Sequence, residues 1–485
     1  VIALTLAEIS AELGGALVGI DQSGAETIVD GSVQVDSRLV VPGSIFFAMR
    51  GETTDGHLFA EAAVANGAAV LIVDHPLATG EGQSPVPQIV VADTLVALAA
   101  LAKFVVATVR ASGTLAVIGI TGSNGKTTTK NMLRTVLEPH GATIAPRGSF
   151  NNHVGAPLSM LGVDNDTRFL VIEMGASRVG DIASLVAIAK PDISVVLKVG
   201  LAHAGEFGGI EETQRAKSEI VTELSPTDVA VLNIDDERVA AMASITAARP
   251  VWFGLDERAD LWADDLRATA TGTTFELVVT SGVDAGRHPV SLRILGEHHV
   301  MNALATLSVA RELGIPLESA IASLESIDRA ERWRMELLRR DDGVVVINDA
   351  YNASPDSMSA ALKTLAQIIA PGERSVAILG EMSELGSEAN EQHDRIGRLV
   401  VRLNIQKLVV VGHAARHIHN AAGLEGSWDG ESVLVETADE AFDLVAADLR
   451  AGDVVLVKSS NSAGLRFLGD RLAESSSAGS SIGAN

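Results

Sequence analysis

The stretch Gly119-Ile120-Thr121-Gly122-Ser123-Asn124-Gly125-Lys126-Thr127-Thr128-Thr129 constrains this chain more than any other. It continues an apolar run, residues 115–120, and leads into a helix-like segment, residues 130–137. Strand, glycine-rich turn, Gly-Lys-Thr and helix, in that order, form the context of a phosphate-binding loop. Glycine permits positive φ and a close backbone approach. Successive N–H groups and the helix N-terminus then face an anion. In such a loop Lys126 bridges the β- and γ-phosphates, and the Thr127 hydroxyl is placed to ligate magnesium. A glycine is usual five residues before Gly125, and Ile120 stands there instead. The competing reading is a plain glycine turn at a helix start.

The rest of the chain repeats the theme of apolar runs separated by helix-length segments. One group is 68–74 and 88–93; a second is 115–120, 169–174, 193–199 and 229–234; a third is 344–348, 375–379, 407–411 and 453–457. Many are continuous Val/Ile/Leu runs, as in parallel strands buried on both faces. The class is therefore α/β. At about 150 residues per domain, 485 residues suggest three. Ala111-Ser112-Gly113 and the charged cluster near 327–333 suggest the boundaries. The expected division is 1–113, a smaller N-terminal α/β domain; 114–330, a central mononucleotide-binding parallel sheet; and 331–474, a Rossmann-like domain. The tail 475–485, rich in Ser, Gly and Ala, is expected to be disordered.

Composition excludes several functions. The formal charge is 37 − 62 = −25, which argues against nucleic acid, since duplex binding needs Lys and Arg to neutralise phosphates. The absence of cysteine rules out disulfides, a thiol nucleophile and thiolate metal sites. Residues 1–5 do not read as a signal peptide. The most hydrophobic stretch, 94–109, contains Lys103 and falls short of the roughly 20 apolar residues a membrane span needs. A buried helix and a cytoplasmic, monomeric protein are expected.

A nucleotide site needs an acid to hold a metal. Glu173 ends the run 169–173, at the carboxyl end of a strand where α/β sheets bind ligands; a solvent-facing strand end is the alternative. His203 follows another strand. From composition alone Lys217 reads as a solvated charge and His393 as a residue on an exposed helix. Asp349 and Asn352 follow a strand, and a turn with a helix cap before Ser354-Pro355 is the plain reading. Tyr351, the single tyrosine, either meets substrate or fills a domain seam.

Taken together these motifs resemble the Mur ligases, ATP-dependent amide ligases of peptidoglycan precursor assembly. The resemblance runs from about Thr5 to Ala473. Val35-Asp36-Ser37-Arg38, Pro42-Gly43-Ser44-Ile45-Phe46-Phe47-Ala48 and Gly51-Glu52-Thr53-Thr54-Asp55-Gly56-His57 are similar to the family's uridine-binding domain. The loop fits the family form Thr-Gly-x-Asn-Gly-Lys-Thr, so its missing first glycine is a family trait. Ser149-Phe150-Asn151-Asn152-His153-Val154-Gly155, Glu173-Met174-Gly175-Ala176 and His203-Ala204-Gly205-Glu206-Phe207-Gly208 are also similar. Arg215-Ala216-Lys217-Ser218-Glu219-Ile220 matches the segment whose lysine is carbamylated, which reverses the plain reading of Lys217. Gly296-Glu297-His298-His299-Val300-Met301-Asn302-Ala303 resembles a nucleotide-contacting helix start, with asparagine frequent in the family where His299 stands. Arg334-Met335, Asn348-Asp349-Ala350-Tyr351-Asn352-Ala353-Ser354-Pro355, Leu379-Gly380-Glu381-Met382-Ser383-Glu384-Leu385-Gly386 and Lys458-Ser459-Ser460-Asn461-Ser462-Ala463 complete the match.

The resemblance implies a ligase joining D-alanyl-D-alanine to UDP-N-acetylmuramoyl-tripeptide through an acyl phosphate. It implies Lys126, Glu173, His203 and Lys217 as catalytic residues. ATP would meet Thr121, Gly122, Ser123, Asn124, Gly125, Lys126, Thr127, Thr128, Asn302, Arg334 and Asp349. Magnesium would be held by Thr127, Glu173, His203 and Lys217 as a carbamate. The other substrates would meet Ser37, Arg38, Asp55, Asn151, Asn152, Tyr351, Asn352 and Lys458. Two alternatives stay open. One is another amide ligase of the fold; against it, no Asp-Asn-Pro-Arg motif of the diaminopimelate-adding ligase is present, and a folylpolyglutamate synthetase lacks a domain like 1–113. The other is a nucleotide-binding protein that does not ligate.

Overall fold

A computed structural model describes residues 1–51, 54–78, 86–111, 113, 115–146, 148–200, 209–269, 272–328, 331–425 and 428–474. His203 with its motif 203–208, and the tail 475–485, lie outside the described residues.

The N-terminal region carries a five-stranded sheet, in the order Ala16–Val18, Gln88–Val90, Val70–Val73, Ile45–Phe47 and Val33–Gln34. Its inner strands are parallel to one another and, apart from Gln88, apolar; Phe46 and Phe47 are fully buried. The helix Thr94–Ala111 follows. It is apolar enough by composition to cross a membrane. Here Ala97, Leu98, Leu101, Ala102, Val105, Val106 and Val109 instead face a core shared with the helix Gly155–Met160 and the strands of the next sheet.

That next sheet has nine strands. In spatial order they are Gly286–Leu292, Gly272–Val279, Leu261–Thr269, Arg249–Gly254, Val229–Asn233, Ile193–Val196, Ala116–Thr121, Thr167–Glu173 and Ala142–Ile144. The last seven are parallel; the first three run antiparallel to one another. The expected parallel sheet is present over seven strands, and Gly272–Val279 and Gly286–Leu292 extend it antiparallel at one edge. Residues 261–292 alternate buried with solvated positions rather than forming continuous apolar runs, the pattern of an antiparallel extension with one wet face. Ala116–Thr121 is first in the chain among these strands but lies between Ile193–Val196 and Thr167–Glu173. Chain direction across the sheet reverses there, which opens a crevice at the carboxyl ends of these strands. The phosphate-loop sequence leaves the sheet at that point.

The C-terminal region has a six-stranded sheet: Glu336–Arg339, Val345–Asn348, Asp453–Lys458, Arg374–Leu379, Lys407–Val411 and Glu431–Val435. All pairs are parallel except the first. His393, expected on an exposed helix face, is corrected. It is buried in the helix Ala389–Arg402, where its Nε2 accepts from Met382 N at 2.9 Å and its Nδ1 donates to Ala389 O at 2.6 Å. Those bonds use a neutral ring, and burial holds its pKa below the usual histidine value.

Candidate active site

The glycines of the loop are structural necessities. Gly125 takes φ +89° and is the N-cap of the helix Lys126–Leu137. A Cβ there would lie 2.5 Å from Asn302 Oδ1 and 3.1 Å from Leu197 Cδ1, so another residue would be strained in backbone and blocked in space. Gly122, at φ +152°, packs as closely on Leu197. We expect Gly125→Ala to lower nucleotide affinity at least about tenfold while costing roughly 1–3 kcal/mol of stability; calorimetric titration with ADP and a thermal melt check both.

Other loop side chains tie the turn to its neighbours. Thr121 Oγ1 donates to Met174 O at 2.8 Å. Ser123 Oγ donates to Gly200 O at 3.0 Å and accepts from Gly200 N at 2.8 Å. Asn124 Nδ2 reaches Ser354 Oγ at 3.5 Å, across to the C-terminal region. Lys126 folds back, Nζ donating to Gly122 O at 2.6 Å. Burial lowers its pKa; Glu173 opposes that shift and Arg334 adds to it.

Behind the loop lies an oxygen-rich cluster. Thr127 Oγ1 is 3.1 Å from Glu173 Oε2 and 3.0 Å from Ser149 Oγ. Glu173 Oε1 pairs with Lys130 Nζ at 2.8 Å, and both side chains are 1 % exposed. Lys130 also donates to Gly148 O. A buried carboxylate beside a hydroxyl is a hard donor set of the kind magnesium prefers. Lys217, on the helix Ile210–Thr222, is buried, and its ammonium is pushed down to about 7, first by burial and then by Lys126. The plain reading of Lys217 as solvated is corrected. The carboxyl end of Glu173's strand also meets the segment 149–152: Gly175 N donates to Asn151 O at 2.8 Å. Asn152 spends its Oδ1 on the N–H groups of Val154 and Gly155, at the start of a short helix.

A cavity of about 910 Å³ opens beyond the loop, between the nine-stranded and six-stranded sheets. Asn124, Gly125 and Thr128 line one side; Arg334, Asp349, Asn352 and Lys458 line another. Asp349 and Lys458 are a buried pair, Oδ2 to Nζ 2.6 Å, and Asp349 Oδ1 accepts from Met335 N at 3.0 Å. Arg334 sits between Trp333 and Met335, both at positive φ (61° and 49°). Its guanidinium lies 4.5 Å from the Tyr351 ring centroid, and its Nε is buried without a partner among the described residues. Non-glycine backbone at positive φ thus stands on both sides of a half-buried, cavity-lining cation. Asn302 lines the same cavity. Ser354 caps the helix Pro355–Ile368 by a reciprocal capping box, so the turn-and-cap reading of that segment holds beside the cavity reading.

Comparison with known proteins gives this arrangement a name. Residues 31–105 match the Mur ligase family catalytic domain, 120–310 the Mur ligase middle domain, and 333–461 the Mur ligase glutamate ligase domain. The chain belongs to the Mur ligase family. It is 42 % identical, over 99 % of both chains, to the UDP-N-acetylmuramoyl-tripeptide–D-alanyl-D-alanine ligase of Mycobacterium tuberculosis. Among solved structures, MurF from Acinetobacter baumannii superposes with a TM-score of 0.85 at 30 % identity, covering 98 % of this chain and 99 % of that one. MurF from Thermotoga maritima in complex with ADP gives a TM-score of 0.78 at 27 % identity, over 91 % and 97 %. The fold is thus the three-domain α/β fold of the Mur ligases.

Not every Mur ligase residue picked from the sequence gathers at the loop. Ser37, Arg38 and Asp55 lie on the N-terminal sheet unit and do not line the cavity. Ser37 is buried, with its carbonyl accepting from Asn66 Nδ2 at 2.9 Å. Arg38 is paired at the surface with Asp36, 2.6 Å. Asp55 accepts from His57 N at 3.0 Å and meets His57 Nδ1 at 2.6 Å. Reading the sequence gave no role to Lys130 or to the cavity-lining Asp235, Arg238 and Lys363, and placed His298 in a nucleotide-contacting motif without a role of its own. Lys130 also carried a local signal: it stands four residues after Lys126, on the same helix face.

Proposed function

We propose that the chain is an ATP-dependent amide ligase that joins D-alanyl-D-alanine to UDP-N-acetylmuramoyl-tripeptide. The observation that carries this is likeness over 99 % of both chains to a ligase of that name. The phosphate loop, the cavity behind it and the buried Lys217 support it. ATP sits in the cavity with its phosphates on the loop, and residues 1–113 hold the uridine end of the other substrate, with Ser37, Arg38 and Asp55 on that side.

A carboxylate is a poor electrophile and must be activated. The terminal carboxylate of the tripeptide attacks the γ-phosphorus; the bond to the β-bridging oxygen breaks, giving an acyl phosphate and ADP. The amine of D-alanyl-D-alanine then attacks the acyl carbon, loses a proton, and phosphate leaves. Such phosphoryl transfer is mostly positioning and charge neutralisation. Lys126 leaves Gly122 O and meets the β- and γ-oxygens. Arg334, with Asp349 and Lys458 behind it, approaches from the C-terminal region and keeps water from the acyl phosphate. Thr127, Glu173, His203 and carbamylated Lys217 would hold magnesium, which supplies charge neutralisation at the phosphates. The amine of Lys217, pushed down to about 7, has the neutral form that adds to the carbon of CO2; a C–N bond forms and one proton leaves to solvent.

The test is phosphate release from ATP with each peptide substrate alone and with both together. Release that requires both, with a new amide product, is expected; release independent of D-alanyl-D-alanine refutes ligation. Running the assay with tripeptides ending in meso-diaminopimelate and in lysine settles which is accepted.

A further inference from the structure

Lys130 stands one turn into the helix Lys126–Leu137, which begins at the phosphate loop. Lysine is almost never fully buried unless it is paired. Here the partner is Glu173, Nζ to Oε1 2.8 Å, and both side chains are shut off from solvent. Gly148 O gives the ammonium a second acceptor. Among the described residues no other cation lies within ion-pair distance of Glu173. Lys126 acts on the same carboxylate from farther off, but its hydrogen bond goes to Gly122 O.

The pair divides the carboxylate. Oε1 takes the ammonium, while Oε2 faces the Thr127 hydroxyl at 3.1 Å. One oxygen therefore remains for a metal held by Thr127 and Glu173. The pair as a whole is neutral. A cation that approaches meets a carboxylate whose charge Lys130 already offsets, and burial leaves that offset little screened. Free magnesium, which gives up its waters reluctantly, gains little from such a site. Magnesium carried on a nucleotide keeps its phosphate oxygens as ligands and needs less from the protein.

We propose that Lys130 is a positioning residue, the built-in counter-ion of Glu173: it fixes the carboxylate when no metal is bound and keeps free divalent cations off it, so that magnesium enters with the nucleotide. This rests on reading Thr127 and Glu173 as magnesium ligands at an ATP site. The test is titration of the nucleotide-free full chain with Mn2+, read by the electron paramagnetic resonance signal of the free ion. Lys130→Met leaves Glu173 buried without its counter-ion, so manganese should bind at least about tenfold tighter than to wild type, and added magnesium should raise Tm more. Lys130→Met combined with Glu173→Gln removes both charges and should lose that gain. A lysine that only packs the helix predicts unchanged manganese affinity in Lys130→Met. That result, or a gain that survives Glu173→Gln, overturns the proposal. If Lys130→Met is unfolded by itself, excess magnesium should fold it, and failure of that rescue also overturns the proposal. Wild type with ADP separates the two readings, because protein and ADP together should take up more manganese than ADP alone. If they do not, the reading of the site fails and takes this proposal with it; if they do and Lys130→Met shows no gain, the proposal alone fails.

Discussion

Lys126→Ala should lower kcat by about 10³-fold, the scale of losing a cation or donor aimed at transition-state charge. KM for the tripeptide substrate should change by less than about threefold, because the proposed grip on its uridine end, at Ser37, Arg38 and Asp55, does not line the cavity. Stability should not fall with it. Lys126 is a cation made costly by burial, with Gly122 O, 2.6 Å away, as its hydrogen-bond acceptor among the described residues. Its removal takes away a desolvated charge. Steady-state kinetics and a thermal melt on the same preparation separate the outcomes. A drop in Tm that tracks the lost activity would mean the lysine is structural, closing the loop on itself.

Lys217→Ala should lose at least about 100-fold in activity, the upper range for groups that position a metal, and formate or acetate should restore part of it. Wild-type protein equilibrated with 13C-bicarbonate should show one carbamate carbon signal that Lys217→Ala lacks. An alanine variant with full unaided activity would refute the assignment. The pH dependence follows from the depressed pKa. Between about 7 in the fold and the ordinary lysine value of about 10.4, the unfolded chain binds the proton and the folded chain does not. Stability from this group therefore rises with pH across that window and is least below 7, where the buried amine must carry its charge. Carbamate formation, which needs the neutral amine, rises in the same direction, so carbamate occupancy should fall as pH is lowered from 8 to 6.

Much of this was legible in the chain. The continuous apolar runs became parallel strands, because burial on both faces demands an unbroken apolar sequence. Leu115–Ile120 and its following turn became a strand and phosphate loop, with Gly122 and Gly125 at the positive φ their spacing implied. Residues 261–292 escaped notice because a strand with one wet face carries polar residues at every second position. His393 was misjudged because polar neighbours in its helix say nothing of the loop that folds over it. Met382 N, on that loop, donates to the buried ring.

What the sequence by itself determined is local: the φ sign at Gly125, the strand before it, the helix after it and the side chains they present. Those depend on adjacent residues and on glycine's missing Cβ. The tertiary structure decided the rest. Asn124 meets Ser354 from 230 positions away, Lys458 meets Asp349 from 109, and Thr127 meets Glu173 from 46. It also decided which cations lose their water. Lys130 sits on Glu173, Lys458 on Asp349, and Lys217 is driven towards neutrality beside Lys126. Desolvation depends on everything packed around a group, from every part of the chain, and no short stretch of sequence contains that sum.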